Sequence, residues 1–138
     1  MGMQALLKDL ARIKRMLFVV GGDGCVSEMY SSGKSEPSFH GEWGTMESGD
    51  WHFHIHMSKV KIAQFVEAED HGAPMVYYVR FASSDDDNLL RCYFPNPYMD
   101  DSEKLSEFQP FKLKVFEDLR DQYVGQPGIT FVRRPKNP

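Results

Sequence analysis

Three of the chain's five histidines stand in one run, Trp51-His52-Phe53-His54-Ile55-His56, and imidazole is the side chain that ligates iron or zinc at neutral pH without carrying charge. In an extended strand alternate side chains share a face, so Trp51, Phe53, Ile55 and Met57 turn one way and His52, His54 and His56 the other. One side is core and the other presents imidazoles. A solvated outer face shows the same alternation, but asparagine, threonine or lysine would serve it equally well, and both readings stand at this level. Neighbouring imidazoles on such a face lie about 6.8 Å apart at the backbone, so they share a small ion only with help from rotamers and strand twist. A large planar metal-bearing ligand asks less of them, because one histidine can take the iron of a heme while the others flank the ring or stay in water.

Upstream of this run stand His40-Gly41 and then Trp43. The strand Phe39 to Met46 is interrupted by Gly41 and Gly44, and a glycine in a strand lets a flat ligand or a packed aromatic such as Trp43 approach the backbone. The polar loop Ser31 to Ser38 leads into His40 and fits either a lid or a plain surface loop.

The elements that must position these residues follow from periodicity. Met3, Leu6, Leu7, Leu10 and Ile13 recur at helical spacing, so Met3 to Met16 reads as an amphipathic helix covering the protein's own sheet. Strands are expected at Leu17 to Val20 and Cys25 to Tyr30 around a glycine-rich turn, then at Val60 to Glu67, Met75 to Ala82 and Leu89 to Phe94. Connections this short make an antiparallel meander. Asp85-Asp86-Asp87 lacks the glycine and terminal glutamate of a calcium loop and reads as a hairpin tip. Asp100 to Glu107 is expected to start a short helical turn. Pro110 then opens a helix carrying Phe111, Val115, Phe116 and Leu119 on one side, down to Tyr123, with Ile129 to Val132 as a last strand. The whole is an α+β fold, one domain over residues 1–138.

His40-Gly41-Glu42-Trp43, then His54-Ile55, then Ile62-Ala63 and Glu67, resemble in order and spacing the heme-utilisation proteins of the ChuX and HutX type, which are similar to each half of the tandem HemS type. The likeness runs over roughly residues 37–123. It implies a saddle-like antiparallel sheet with an N-terminal and a C-terminal helix. It also implies heme carriage, storage or utilisation in the cytoplasm, a homodimer imitating the tandem form, and a protein that donates or accepts heme. By the same resemblance His40 and His54 correspond to heme-contacting histidines, whereas His52 and His56 have no counterpart. His54 is the first choice for iron and His40 the second axial or distal candidate. Trp43 is the ring-packing candidate, and Lys59, Lys61, Arg80 and Arg91 are the conceivable propionate partners, with Arg80 and Arg91 put forward for the site.

A non-heme reading competes. In a cupin-like metalloenzyme, His52 and His54, or His54 and His56, would hold a metal with an acidic residue and a later histidine; against it, the first acidic residue after His56 is Glu67, and the later histidine, His71, lies on a turn. The sequence lacks a fingerprint for flavin or nicotinamide, so a non-enzymatic binding protein is the preferred expectation. The formal charge of -4 and the absence of a basic stripe with interleaved aromatics argue against nucleic acid and membrane surfaces. Cys25 and Cys92 have no CxxC spacing and read as free thiols of a reducing compartment. Charges at Lys8, Asp9 and Arg12 break any apolar run that could serve as a signal segment.

Overall fold

A computed structural model describes residues 2–70 and 72–134. These residues form two α-helices and nine strands in the order α1 (Gly2–Ala11), β1 (Leu17–Gly21), β2 (Val26–Tyr30), β3 (Ser38–His40), β4 (Trp43–Ser48), β5 (Trp51–His56), β6 (Ile62–Ala68), β7 (Val76–Ala82), β8 (Asn88–Tyr93), α2 (Pro110–Tyr123) and β9 (Ile129–Arg134). The α+β class with a helix near each end is as expected. The single meander is not, because the strands divide into a six-stranded sheet, β2-β1-β8-β7-β6-β9, and a three-stranded sheet, β3-β4-β5.

Phe39 to Met46 is two strands rather than one broken one. Gly41 takes φ +59° at the first position of a two-residue hairpin loop, so the glycine turns the chain instead of interrupting it. Gly44 does admit a packed aromatic, but it is Phe39: a Cβ at Gly44 would come within 3.0 Å of that ring and 3.3 Å of Ile55. The strand β5 ends at His56, and Met57 opens a 3-10 turn through Lys59 that carries the chain from the small sheet to the large one. The last strand, β9, pairs with β6 in parallel. That pairing needs a crossover, which the long excursion through α2 provides.

Cross-strand register puts Phe18, Cys92, Val79 and Phe65 in one row on the inner face of the large sheet. Against this face α1 lays Leu6, Leu7 and Leu10, and α2 lays Phe116, all buried. Each such side chain removed from water contributes about 1.5–3 kcal/mol. Phe116 is the centre of an aromatic cluster, with ring centres 5.2 Å from Tyr77, 5.2 Å from Phe94 and 5.8 Å from Phe65. The small sheet closes the same core from the other end. Met46, Phe53 and Ile55 are buried, and Phe18 of β1 stands 5.6 Å from Phe53 and 6.0 Å from Trp51.

The helices depart from expectation in detail. The first ends at Ala11 rather than Met16, and the segment after it is pinned by Ser31, whose hydroxyl donates to the Ala11 carbonyl at 2.7 Å. Ser31 also exchanges backbone bonds with Arg15 and Met16, so the start of the 31–38 loop is an anchored piece of chain. In α2 the buried side is Phe116 and Tyr123, with Leu113 partly buried and the Arg120 guanidinium 5.1 Å over the Phe131 ring. Phe111 and Val115, expected on that side, are 65% and 39% exposed. Four residues apart, they share a stripe rotated away from Phe116. No helix forms at 100–107. There Met99 and Leu105 make an isolated bridge and the Asp100 carboxylate accepts from the amides of Ser102 and Lys104.

Candidate functional site

Two tight hairpins build the histidine face. Gly49, at φ +55°, turns β4 into β5 so that Ser48 pairs with Trp51. From there the register places Glu47 opposite His52, Thr45 opposite His54 and Trp43 opposite His56, and on the other side Trp43 faces His40 and Thr45 faces Ser38. Directly paired residues share a face, so His40, Trp43, Thr45, Glu47, His52, His54 and His56 all stand on the outer side of the small sheet. Trp51, Phe53 and Ile55 go to the core, as the alternation requires. Strand spacing and rise make this face about 10 Å by about 14 Å.

The imidazoles are not equivalent. His56 is hydrogen-bonded at Nδ1, 2.8 Å from the Ser58 hydroxyl; its Nε2 stands 3.5 Å from an exposed Glu42 carboxylate oxygen, an ion pair only when the ring is protonated, and its ring lies 4.6 Å edge-on to Trp43. Among the described residues His54 is held at one nitrogen only: its Nδ1 is 2.8 Å from the Thr45 hydroxyl. In the tautomer that donates Nδ1–H to Thr45, the Nε2 lone pair is free, the state in which histidines ligate metal. His52 stands 5.4 Å from His54, ring centre to ring centre. His40, His52 and His54 are exposed, and Trp43 is 49% exposed, a large apolar surface left in water beside them. The face is open rather than a cleft. Cavities of about 160 and 270 Å³ lie elsewhere, around Arg15, Tyr93, Phe94 and Met99 and around Ile13, Phe111 and Val115, and no residue of β3, β4 or β5 lines them.

Arg80 and Arg91 are not brought to this face. They pair with each other across β7 and β8 on the side of the large sheet turned away from the core, while the small sheet packs on the core side. Arg80 is buried and spent within the fold. Its Nε donates to Asn88 Oδ1 at 2.7 Å, Nη1 to Gln64 Oε1 at 3.1 Å, and Nη2 to the Asp86 carbonyl and carboxylate at 3.0 and 2.7 Å. The cation thus clamps the 83–87 hairpin tip. Arg91 lies between Val19 and Arg80 in register, beside Tyr93, whose phenol is raised chiefly by burial. Lys59 is exposed in the turn that follows β5, whereas Lys61 leads into β6.

Among the described residues no three of histidine, cysteine, aspartate and glutamate converge as a metal site. Glu67 is on the large sheet, where Arg133 Nε donates to it at 3.0 Å, and His71 lies outside the described residues. The cupin-like convergence is therefore not formed by the described residues. Cys25 and Cys92 are free, and burial pushes the Cys92 thiol up, keeping it inert. No helix among the described residues is long and apolar enough to cross a membrane.

A protein-family model matches residues 4–119, most of the chain. The fold is that of several solved structures. ChuX is 10% identical with a TM-score of 0.69 over 88% of this chain and 71% of its own. A structure described as the heme binding protein ChuX is 12% identical with a TM-score of 0.63 over 83% and 68%. A protein from Agrobacterium tumefaciens is 17% identical with a TM-score of 0.68 over 88% and 67%. No curated protein sequence gives a significant match.

Proposed function

This chain belongs to the ChuX-type fold family, and on that premise we propose that it binds heme for carriage or storage, with His54 as the iron ligand. The observation that carries this reading is the pairing of His54 with Thr45. One ring nitrogen is held and the other is free, next to a half-exposed tryptophan on an open strand face. His40, cross-strand from Trp43, is the second ligand candidate, and Lys59 replaces Arg80 and Arg91 as the partner for a propionate.

Bound heme would supply an iron centre whose ligation and exposure set its reactivity. The protein's own part is simpler. Thr45 fixes the aim of His54 and can accept its Nδ1–H in the ligating tautomer, Trp43 offers an apolar flank, and His56 is held aside by Ser58 and by packing on Trp43. An open face suits hand-over to another protein, which makes a carrier the better reading than an enzyme needing a closed, water-excluded pocket. Solvent on the far side of such a ligand is a reason to expect a second copy of the chain across it, in the homodimer implied by the family.

The test is a hemin titration followed through the Soret region. One hemin per chain is expected, with the spectrum altered in His54→Ala and affinity reduced in Trp43→Ala. A weak, unsaturable absorbance change identical in the wild type and His54→Ala would defeat the proposal.

A further inference from the structure

The contact between His52 and His54 has a chemistry of its own. Their ring centres are 5.4 Å apart and the rings are steeply inclined. Two imidazoles on one ion, each nitrogen about 2.0–2.1 Å from it, stand with ring centres about 5 Å apart, so the spacing of this pair is that of a chelate once the rings turn a nitrogen each toward the ion. The backbone spacing of about 6.8 Å argued against convergence, yet the side chains lean toward each other. His54 Nε2 is free, and no hydrogen-bond partner occupies either nitrogen of His52 among the described residues. Glu47, directly across from His52, adds negative charge to the same end of the face.

The geometry points to a second use of this face: His52 and His54 form a two-imidazole chelate for a divalent late transition ion such as Ni2+, Cu2+ or Zn2+, with water completing the shell. Imidazole nitrogen suits these ions over magnesium or calcium. Because His54 is common to both sites, the ion and heme exclude one another at that residue. A divalent metal thereby regulates heme uptake, a consequence that rests on the heme proposal, whereas the chelate itself does not. His56, two residues further along the same strand face, is left out of the chelate because its Nδ1 is held by Ser58 and its ring packs edge-on against Trp43 at 4.6 Å.

Calorimetric titration of the whole chain with Ni2+ alone tests the site. One ion per chain is expected, at least about tenfold weaker in His52→Ala and in His54→Ala and within about twofold of wild type in His56→Ala. His52→Gln, which keeps a polar side chain at an exposed position, must lose binding as His52→Ala does. Unchanged Ni2+ binding in the His52 variants, or equal loss in His56→Ala, overturns the assignment. Hemin titrations with and without Ni2+ then separate the two proposals. Ni2+ weakens hemin binding to the wild type and leaves His52→Ala unaffected if both hold. If the wild type takes no hemin, the heme reading fails alone and the calorimetry still decides the chelate.

Discussion

The two outward sheet faces carry polar side chains of comparable reach, and they use them in opposite ways. On the large sheet Arg80 is buried and its donors are consumed by Asn88, Gln64 and Asp86. On the small sheet His52 and His54 are exposed, and at least one nitrogen of each is left over. A side chain whose hydrogen-bonding capacity is used up is holding the fold together, and removing it costs stability. The difference assigns stability to the arginine face and leaves the histidine face as the one proposed to bind a ligand.

Arg80→Met attacks the first half of that division. It removes the charged donors to Asn88 and to the Asp86 carbonyl and carboxylate, while Gln64 keeps Arg134 as a donor, so unfolding free energy should fall by about 2–3 kcal/mol, read as a lower denaturant midpoint at unchanged slope. Hemin stoichiometry should remain one per chain. His54→Ala is its mirror image, shifting stability by no more than about 0.5 kcal/mol because an exposed side chain is lost.

Thr45→Val sharpens the second half. It keeps the shape of the strand and removes the acceptor that orients His54, so hemin affinity should drop about tenfold, the lower end of what loss of an orienting partner costs a metal ligand. A hemin titration with far-UV circular dichroism as a fold control checks it. The smallest effect belongs to His56→Ala. With its Nδ1 held by Ser58 and its ring packed on Trp43, its removal should change hemin affinity by less than about threefold.

How far this division can be read from sequence depends on the residue. Alternation at period two separates Phe53 and Ile55 from the histidines without ambiguity, and helical spacing brings Leu6, Leu7 and Leu10 to the core. Thr45 was legible in principle. Once Gly49 and Asp50 are recognised as a two-residue hairpin loop, counting outward pairs Thr45 with His54. The fate of Arg80 could not be read, because its partners come from β6 and from the 83–87 turn, and only the tertiary register brings them together. The outward turn of Phe111 and Val115 has the same origin: a helix with apolar residues on more than one side leaves its orientation to the sheet it meets. The parallel pairing of β9 is likewise a consequence of where α2 returns the chain.

The most direct measurement is resonance Raman spectroscopy of the ferrous heme complex prepared with 15N-labelled histidine. The iron–histidine stretch should shift with the isotope in the wild type and in His56→Ala and be absent in His54→Ala. A shifted band that persists in His54→Ala would contradict ligation by His54 and remove the functional distinction between the two faces.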